Sequence, residues 1–379
     1  MKVLWVGDAV IQSGFSTVTH NVCDELTKMC DITVFGIGYD GRVRNKLPYY
    51  VYPAADKFDL YSFANVPKVI ETDGADAVVV FNDLPVVMEY IKHIRQSYPK
   101  LAIVPLFPIN MLPLDYKMVS VLLHYDIPQV LTYTEFSKKQ VNNIIPSIGV
   151  EAIYHGVDKK VFTLDADCKK TTGLKDYFVV GYVGSNTSRK RLDLLLEGFS
   201  KFAKNKTDVR CLIHTNDITR CYPIPDIADY YGVKDRVILS SGYAPNDKLR
   251  MLYSLMDVNV NTSLGEGFGL PLIEGASCGV PVLCPEHGNL VDIWSSGADF
   301  IKIAKDEFVP NSNNLGAVID TDDMAVKLEK LYIDRNYLKT QGTNALNRSN
   351  EPLFDWMIVS SKVYSSLVLS TKTRMNIIV

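Results

Sequence analysis

The stretch VNVNTSLGEGFGLPLIEGA, residues 258–276, decides the fold class. It begins with a short β-branched run typical of a buried strand, passes three glycines at alternate positions, and ends in an apolar pattern typical of a helix. Pro271 fits the first turn of that helix, because the N–H that proline lacks would have no partner there. A strand that leads through a glycine-rich turn directly into a helix is typical of a parallel α/β sheet.

The same alternation of strand and helix extends through the rest of the chain. Strand-like runs alternate with helical patterns from residue 2 to about 165, and the alternation begins again at residue 177. The stretch 165–176 between them is polar and rich in Asp, Lys and Thr, as linkers are. We therefore predict two Rossmann-like, doubly wound α/β domains, 1–170 and 171–351, that face each other across a ligand-binding cleft.

Composition and charge exclude several classes of protein. The chain has 379 residues, of which 47% are hydrophobic and 22% charged, and its net charge is −3, so we expect neither global disorder nor a nucleic-acid partner. Its 7 cysteines are widely spaced without a C-x-x-C pair, which predicts reduced thiols and no zinc site. No apolar run reaches the roughly 18 residues that span a bilayer. We therefore expect a cytoplasmic protein without a transmembrane segment.

Two carboxylates make 258–276 a candidate binding site. Glu266 lies in the glycine-rich turn, and Glu274 follows eight residues later, about one turn into the helix. Glycines let a ligand approach the backbone, so the amides of Gly267–Leu270 can reach sugar hydroxyls or phosphate. A carboxylate in such a pocket suits paired hydroxyls, because it accepts hydrogen bonds from both. The alternative is a plain connection between a strand and a helix.

A second candidate is the loop GSNTSRKR, residues 184–191, which follows one predicted strand and precedes a helix. Such a loop presents backbone N–H groups and the positive end of a helix dipole. Arg189, Lys190 and Arg191 add three cations, a combination that suits a diphosphate. The order of residues matches neither a Walker loop nor the dinucleotide glycine fingerprint. The alternative is the solvated basic start of a helix.

The remaining candidates are weaker. Gly14, between the first strand and its helix, could bring the backbone close to a ligand, although a simple turn explains it equally well. The 6 histidines are scattered and are interpreted as structural. Neither a Ser–His–Asp signature nor H-E-x-x-H is present, so nothing indicates a hydrolase or a zinc peptidase.

Taken together, these motifs resemble the GT-B glycosyltransferases, and specifically the large retaining family 4. The most specific match is the E-x7-E motif, Glu266 to Glu274 within GEGFGLPLIEG. The resemblance is strong from about 177 to 300 and looser before 150. Other segments that resemble the family are Gly14–Thr19, Tyr154–Asp158 with Phe162, Arg189–Lys190, Ser254–Asp257 and Phe354–Trp356.

The resemblance implies a GT-B fold whose terminal helix, 352–379, crosses back to the N-terminal domain. It also implies transfer of a hexosyl group from a nucleotide diphosphate sugar, with retention at the anomeric carbon and no required metal or other cofactor. Glu274 would accept from the ribose, and Glu266 would help to hold the donor sugar. Arg189 and Lys190 would neutralise the diphosphate as it leaves. The residues predicted to bind the donor are Gly14, Ser185, Ser241, Gly242, Tyr243, Gly267, Phe268, Gly269, Leu270 and Glu274.

Two positions depart from the family's pattern. Ser185 follows the glycine of the basic loop, where relatives often carry Arg. Asn110, within FPINMLP at 107–113, stands in a segment that is more acidic or carries His in relatives. We predict that Asn110 lies on the acceptor side, in the N-terminal domain. The donor base is expected near Ser241–Tyr243, where backbone groups and an apolar slot would recognise it.

Three functions stay open on the sequence, and a transferase is favoured. A nucleotide-sugar epimerase of GT-B type would need acid and base groups at a sugar carbon, and no convincing set is present. A non-catalytic nucleotide-sugar-binding relative would have no need for Glu266, Glu274 and Lys190. Among donors, GDP-mannose is slightly favoured over UDP-linked sugars. The acceptor, a glycan or another hydroxyl compound, would face the Gly14 loop and residues 107–116, and peripheral contact with a membrane stays open.

Overall fold

The structure is a computed structural model that describes residues 1–11, 13–42, 47–54, 59–309 and 314–376, with side chains up to residue 373. The chain divides into two compact units. The first unit comprises Met1–Ile109, Leu114–Gly156 and Pro352–Val379, and the second comprises Asn110–Pro113 and Val157–Glu351. The polypeptide therefore enters the second unit twice.

The strands and helices alternate along the chain as the sequence predicts. The strands are β1 (Lys2–Asp8), β2 (Asp31–Ile37), β3 (Tyr50–Pro53), β4 (Ala77–Phe81), β5 (Ala102–Leu106), β6 (Gln129–Thr132), β7 (Gly149–Ala152), β8 (Phe178–Val183), β9 (Val209–Thr215), β10 (Val237–Ser241), β11 (Val258–Val260), β12 (Val282–Pro285), β13 (Ala298–Ile301), β14 (Ile303–Phe308) and β15 (Leu315–Ile319). The helices are α1 (Gly14–Leu26), α2 (Val66–Asp73), α3 (Leu84–Ser97), α4 (Tyr116–His124), α5 (Glu135–Ile144), α6 (Cys168–Thr171), α7 (Leu192–Ala203), α8 (Ile224–Tyr230), α9 (Asn246–Ser254), α10 (Leu270–Ser277), α11 (Gly288–Trp294), α12 (Thr321–Ile333), α13 (Arg335–Ser349) and α14 (Trp356–Asn376).

The first unit is built on a parallel sheet of 7 strands in the order β3-β2-β1-β4-β5-β6-β7. Its central strands are buried along their length, β4 (AVVVF) completely, which is why they read as continuous apolar runs. Helix α1 begins where the Ser13 hydroxyl accepts from the Ser16 N–H, and it buries Val18, Val22 and Leu26 at helical spacing. The order of strands reverses between β1 and β4, so this pair is the switch point of the sheet.

The second unit has a parallel sheet of 6 strands in the order β10-β9-β8-β11-β12-β13. Its switch point lies between β8 and β11. The antiparallel hairpin β14–β15 follows this sheet in the chain. Two parallel, doubly wound sheets confirm the predicted fold class.

The C-terminal helix α14 packs on the first unit, as predicted. It buries Val363 and Leu367, its Ser366 Oγ accepts from Gln129 Nε2 at 2.9 Å, and Lys362 pairs with Glu151 at 2.9 Å. Residues 377–379 of the predicted terminal helix lie outside the described residues.

Residues 157–170, which the sequence assigns to the first domain, group with the second unit. The ring of Phe162 packs edge-on against Tyr253 with centroids 6.0 Å apart. The Asp165 N–H donates to Ser254 Oγ at 3.0 Å, and Lys169 pairs with Asp257. The polar linker is thus fixed to the second unit by hydrogen bonds and an ion pair, which composition alone does not reveal.

The segment Asn110–Pro113 also groups with the second unit, although the strands and helices on both sides of it in the chain belong to the first. Leu112 bridges to Leu315 of β15, and its carbonyl accepts from the Leu315 N–H at 2.7 Å. Asn314 Nδ2 donates to the Pro113 carbonyl at 2.8 Å. The prediction that Asn110 lies in the N-terminal domain is therefore wrong, because backbone pairing with β15 holds this segment in the second unit.

None of the helices in the described part of the chain is long and apolar enough to cross a bilayer.

Candidate functional site

The candidate site lies at the switch point of the second unit. Loop 184–191 follows β8 and loop 261–269 follows β11, so the two loops leave adjacent strands at the same edge of the sheet. The carboxyl edge of a parallel sheet at such a reversal is where α/β proteins bind ligands. The two stretches that the sequence singles out are therefore brought together.

Backbone and hydroxyl contacts fix the basic loop against its neighbour. The Thr262 hydroxyl donates to the carbonyls of Lys190 and Arg191, at 3.0 and 3.1 Å. The Leu264 N–H donates to the Arg189 carbonyl at 2.8 Å. These bonds place the Arg189 and Lys190 side chains beside the turn that carries Glu266.

The glycine-rich turn is fixed from its other side. Asn289, in the first turn of α11, donates from Nδ2 to the Glu266 carbonyl at 2.8 Å. Gly269 adopts φ +87° immediately before α10, a conformation that favours glycine. Phe268 is buried, and Leu270 with Pro271 opens the helix. The amides of 267–270 are consequently held at the start of a helix.

Glu266 is the centre of a buried charge cluster. Its Oε2 accepts from Arg189 Nη1 at 2.9 Å, and its Oε1 pairs with Lys190 Nζ. Oε1 also accepts from Ser263 Oγ at 2.6 Å and from Asn261 Nδ2 at 3.1 Å. With two cations against one carboxylate, the cluster keeps a net positive charge in a site where Glu266 is only 6% exposed.

The electrostatics of the cluster favour the charged form of Glu266. Burial alone would raise the pKa of Glu266, but Lys190 and Arg189, with hydrogen bonds from Lys190 and Ser263, hold that pKa far below its usual range. Burial lowers the pKa of Lys190, and the Glu266 carboxylate opposes that shift. The carboxylate is therefore ionised at any physiological pH, and it is the counter-charge for two cations.

Glu274 has a different environment from Glu266. It is partly buried on α10, and its Oε2 accepts from the Tyr253 hydroxyl at 2.6 Å. Burial raises the pKa of Glu274 to about 7, and the Tyr253 hydrogen bond only partly offsets this. Within the described residues no cation pairs with Glu274. The two glutamates of E-x7-E thus differ, one fixed as an anion and the other titrating near neutrality.

Arg191 does not join the cluster around Glu266. Its guanidinium forms an ion pair with Asp193 at 2.9 Å and approaches Glu307 at 3.9 Å. The residue adopts φ +49° at the junction with α7. The predicted basic run therefore splits into a pair of cations beside Glu266 and a third cation directed to other carboxylates.

The other residues predicted to bind the donor lie outside the cluster around Glu266. Ser185 is exposed, and its carbonyl accepts from the buried Tyr182 hydroxyl at 3.2 Å. Ser241, Gly242 and Tyr243 are exposed at the end of β10, with Tyr243 63% accessible. Gly14 lies in the first unit, in the first turn of α1.

Asn110 lies beside the glycine-rich turn of the second unit. A Cβ built on Gly265 would collide with the Asn110 carbonyl oxygen and with the Met111 side chain. The side chain of Asn110 is partly exposed. Its predicted role on the acceptor side stays a prediction, and the residue borders the glycine-rich turn that carries Glu266.

We expect Gly265→Ala to destabilise the protein by about 1–3 kcal/mol, because the new methyl group meets a backbone oxygen that side-chain rotation cannot move. Gly198→Ala is the matched control, since the nearest atoms that its Cβ would meet belong to the adaptable Met324 side chain. Chemical denaturation of both variants measures the difference. Equal losses in the two variants would contradict the close approach of Asn110 to the turn.

Several residues that build the site carry no role in the sequence-based prediction. Asn261, Thr262 and Ser263 directly follow a buried strand, and three polar residues at a strand end are a signal that could have identified them. Tyr253 lies on α9 among apolar neighbours, and its bond to Glu274 depends on helix packing. Asn289 likewise reaches Glu266 from a separate helix.

Comparison with known proteins relates the second half of the chain to a protein family. Residues 166–348 match the model of the family glycosyl transferases group 1. The serotype-specific mannosyltransferase WbdA of Escherichia coli is 24% identical over 233 residues, which is 60% of this chain and 26% of WbdA. This chain spans less than half the length of the first curated relatives it matches.

Solved structures resemble the chain over nearly its whole length. Sucrose-phosphate synthase from Thermosynechococcus elongatus superposes with a TM-score of 0.80 at 17% identity, covering 98% of this chain and 100% of that one. The Anabaena protein HepE in complex with UDP and glucose gives a TM-score of 0.74 at 15% identity, covering 97% and 99%. The predicted fold is confirmed, since the chain has the GT-B fold, and residues 166–348 match the glycosyl transferases group 1 family.

Proposed function

We propose that the protein transfers a hexosyl group from a nucleotide diphosphate sugar to a hydroxyl of a glycan or similar acceptor, with retention at the anomeric carbon. The observation that carries this proposal is the Glu266–Arg189–Lys190 cluster at the switch point of a group 1 domain. Glycosyl transfer develops negative charge on the departing diphosphate, and fixed cations stabilise it.

The cluster has donor capacity for a diphosphate. A lysine ammonium carries three N–H groups, and Lys190 directs one of them to Glu266. The Arg189 guanidinium presents a planar set of donors that matches two phosphate oxygens at once. In this proposal both cations keep Glu266 as their positioning partner while they receive the phosphate. Their charge takes the place of a divalent metal, so the reaction requires none.

The glycine-rich turn supplies the second part of the donor site. In the proposal, Glu266 and the amides of Gly267–Leu270 hold the donor sugar, and Glu274 accepts from the ribose. The base lies near Ser241–Tyr243, where Gly242 adopts φ +88° and its N–H donates to the Thr215 carbonyl. The leaving phosphate assists deprotonation of the acceptor hydroxyl, which accounts for retention without a carboxylate nucleophile.

We favour mannose as the transferred sugar, with GDP as its carrier. WbdA, similar over 60% of this chain, is named a mannosyltransferase, which supports mannose. The structure of HepE contains UDP and glucose, so UDP-linked glucose is the alternative donor. The first experiment has to distinguish it from GDP-mannose.

A thermal-shift panel of nucleotide sugars tests the proposal, because a ligand that binds only the folded protein raises the melting temperature. We expect GDP-mannose to give the largest rise, with UDP-glucose and UDP-N-acetylglucosamine as comparisons. The best donor is then incubated with hydroxyl acceptors, and the anomeric configuration of the product is read by NMR. Absence of stabilisation by every nucleotide sugar would refute the donor site.

We expect nucleotide-sugar affinity to fall as the pH falls below about 7, because a protonated Glu274 loses acceptor capacity toward the ribose hydroxyls. Calorimetric titrations with GDP-mannose between about pH 8 and about pH 6 measure this, and its diphosphate diester lacks the titrating oxygen of a phosphate monoester. Glu274→Gln is the control, and its affinity should change little with pH. A parallel decline in the variant would assign the titration to another group.

A further inference from the structure

The first unit has its own polar link across its own switch point. Asp8 is the last residue of β1, and Asn82 directly follows β4. Asn82 Nδ2 donates to Asp8 Oδ1 at 3.3 Å, and Ser13 Oγ donates to Asp8 Oδ2 at 2.8 Å. The geometry parallels the second unit, where Glu266 joins the loops that follow β8 and β11.

The chemistry of this link differs from that of the second unit. Asp8 is 7% exposed, and no cation pairs with it within the part of the chain that the structure describes. Burial raises the pKa of Asp8; Ser13 and Asn82 oppose the shift, and the nearby charge of Asp83 adds to it. Such a carboxylate repels anions, whereas further neutral hydroxyl donors would stabilise it.

The carboxylate has capacity for such donors. An ionised carboxylate offers about four acceptor positions, and two neutral groups occupy part of them here. Ser13 Oγ also accepts from the Ser16 N–H at 3.1 Å, so this hydroxyl is held on its acceptor side as well as by its donation to Asp8. Asp8 lies at the carboxyl edge of the sheet, where α/β proteins bind ligands.

Aromatic side chains border the same place. The rings of Phe15 and Tyr133 both contact Phe81, the residue before Asn82, with centroids 5.1 and 6.3 Å away. Sites for small polar ligands typically combine aromatic walls with a few directed polar groups. A carboxylate, an amide and a hydroxyl beside aromatic rings suit a sugar ring with its hydroxyls.

We propose that Asp8, supported by Ser13 and Asn82, forms a subsite in the first unit that binds two hydroxyls of a neutral sugar. Naming this sugar as the acceptor rests on the proposed function. The subsite restricts the acceptor to a ring that is uncharged at this end, and it excludes a phosphorylated sugar there. Asp8 is a binding residue in this proposal, and the Gly14 loop beside it is the backbone that the ring approaches.

The test uses the full chain and two probes, methyl α-D-mannopyranoside and mannose 6-phosphate, titrated by saturation-transfer NMR. The wild-type protein should bind the neutral glycoside and should bind the phosphate more weakly. Asp8→Asn should weaken binding of the glycoside by about tenfold or more, which is the effect of losing a hydrogen bond to a charged acceptor. Asn82→Ala is a second variant that keeps the Asp8 carboxylate, and it should weaken binding of the same glycoside.

Asp73→Asn is the matched control, since Asp73 is another buried carboxylate of the first unit, contacts Tyr52 and Lys2, and has no place in either proposed site. It should leave glycoside binding unchanged. The subsite is wrong if the wild-type protein binds neither probe, or if mannose 6-phosphate binds more tightly. It is also wrong if Asp8→Asn lowers only the melting temperature, as a residue that merely supports the Ser13 cap of α1 would.

The thermal shift given by GDP-mannose, measured on the same variants, separates this proposal from the proposed function. Nucleotide stabilisation that survives in Asp8→Asn together with lost glycoside binding supports the subsite. Loss of the glycoside in a protein that no nucleotide sugar stabilises would keep the subsite and remove the proposed transfer.

Discussion

Replacing Lys190 by alanine should lower kcat/KM for sugar transfer by about a hundred- to a thousandfold, the effect of removing one preorganised group that stabilises developing charge. Lys190 is held between Glu266 and the backbone contacts that Thr262 makes to its loop, so its ammonium is already in position when the donor arrives. The measurement is initial-rate kinetics with the donor that the thermal-shift panel selects. The loss should be mainly in kcat, because the charge on the phosphate grows as the bond breaks.

Lys201→Ala is the control for this variant. Lys201 belongs to the same unit and forms ion pairs with Glu197 at 3.0 Å and Asp322 at 2.8 Å, away from the candidate site. Its removal should change kcat/KM by less than about twofold, as partly exposed ion pairs contribute little. Equal rates in Lys190→Ala and Lys201→Ala would show that the cation cluster does not act on the diphosphate.

Replacing Glu266 by alanine should lower the free energy of unfolding by about 3–5 kcal/mol, because two cations would lose their buried counter-charge. Chemical denaturation near neutral pH measures the loss. The pKa of Glu266 is held low in the folded state, so its stabilising effect is complete above the unfolded carboxyl pKa of about 4.3 and is lost as the pH falls toward the folded value. The difference in unfolding free energy between wild type and variant should therefore become smaller at acidic pH.

A double variant distinguishes lost charge pairing from lost packing. Lys190→Met combined with Glu266→Leu removes one cation together with the carboxylate and fills the space with apolar side chains. It should recover part of the stability of Glu266→Ala, since apolar residues of similar volume replace buried ion pairs at little cost. It should be inactive in sugar transfer, because it lacks Lys190. A double variant as unstable as the single one would assign the loss to packing around Ser263 and Asn261.

Much of the fold follows from local sequence signals. Several strands are continuous buried runs, namely β1, β2, β4, β8 and β11. Turns with helix-starting residues follow β1 and β11. These strands can therefore be recognised from their own residues alone. The sequence-based analysis does not identify β3, β7, β13 or the hairpin β14–β15, and β13, like β3 and β7, has only four residues. β3 and β7 are short and half-exposed, and β14 (IAKDEF) carries charges that mask its pattern.

Part of the candidate site could likewise be predicted from local motifs, and part could not. Glu266, Arg189 and Lys190 each lie within a motif, and the adjacency of two parallel strands brings the motifs together, so their association could be predicted. The position of Asn110 beside Gly265 depends on backbone pairing with β15, between residues more than two hundred positions apart in the chain. No local pattern encodes such a pairing. The separate environments of Glu266 and Glu274 likewise arise from partners on other elements.

The short excursion Asn110–Pro113 has a consequence for anyone who would express the halves of this protein separately. A gene fragment for residues 157–351 would lack the Leu112 carbonyl that accepts from Leu315, and the outer edge of β15 would lose that partner. It would also lack the main-chain oxygen that abuts Gly265. A fragment for the first half alone would carry the same four residues with nothing to pair with. The gene therefore has no single cut that yields two self-sufficient proteins.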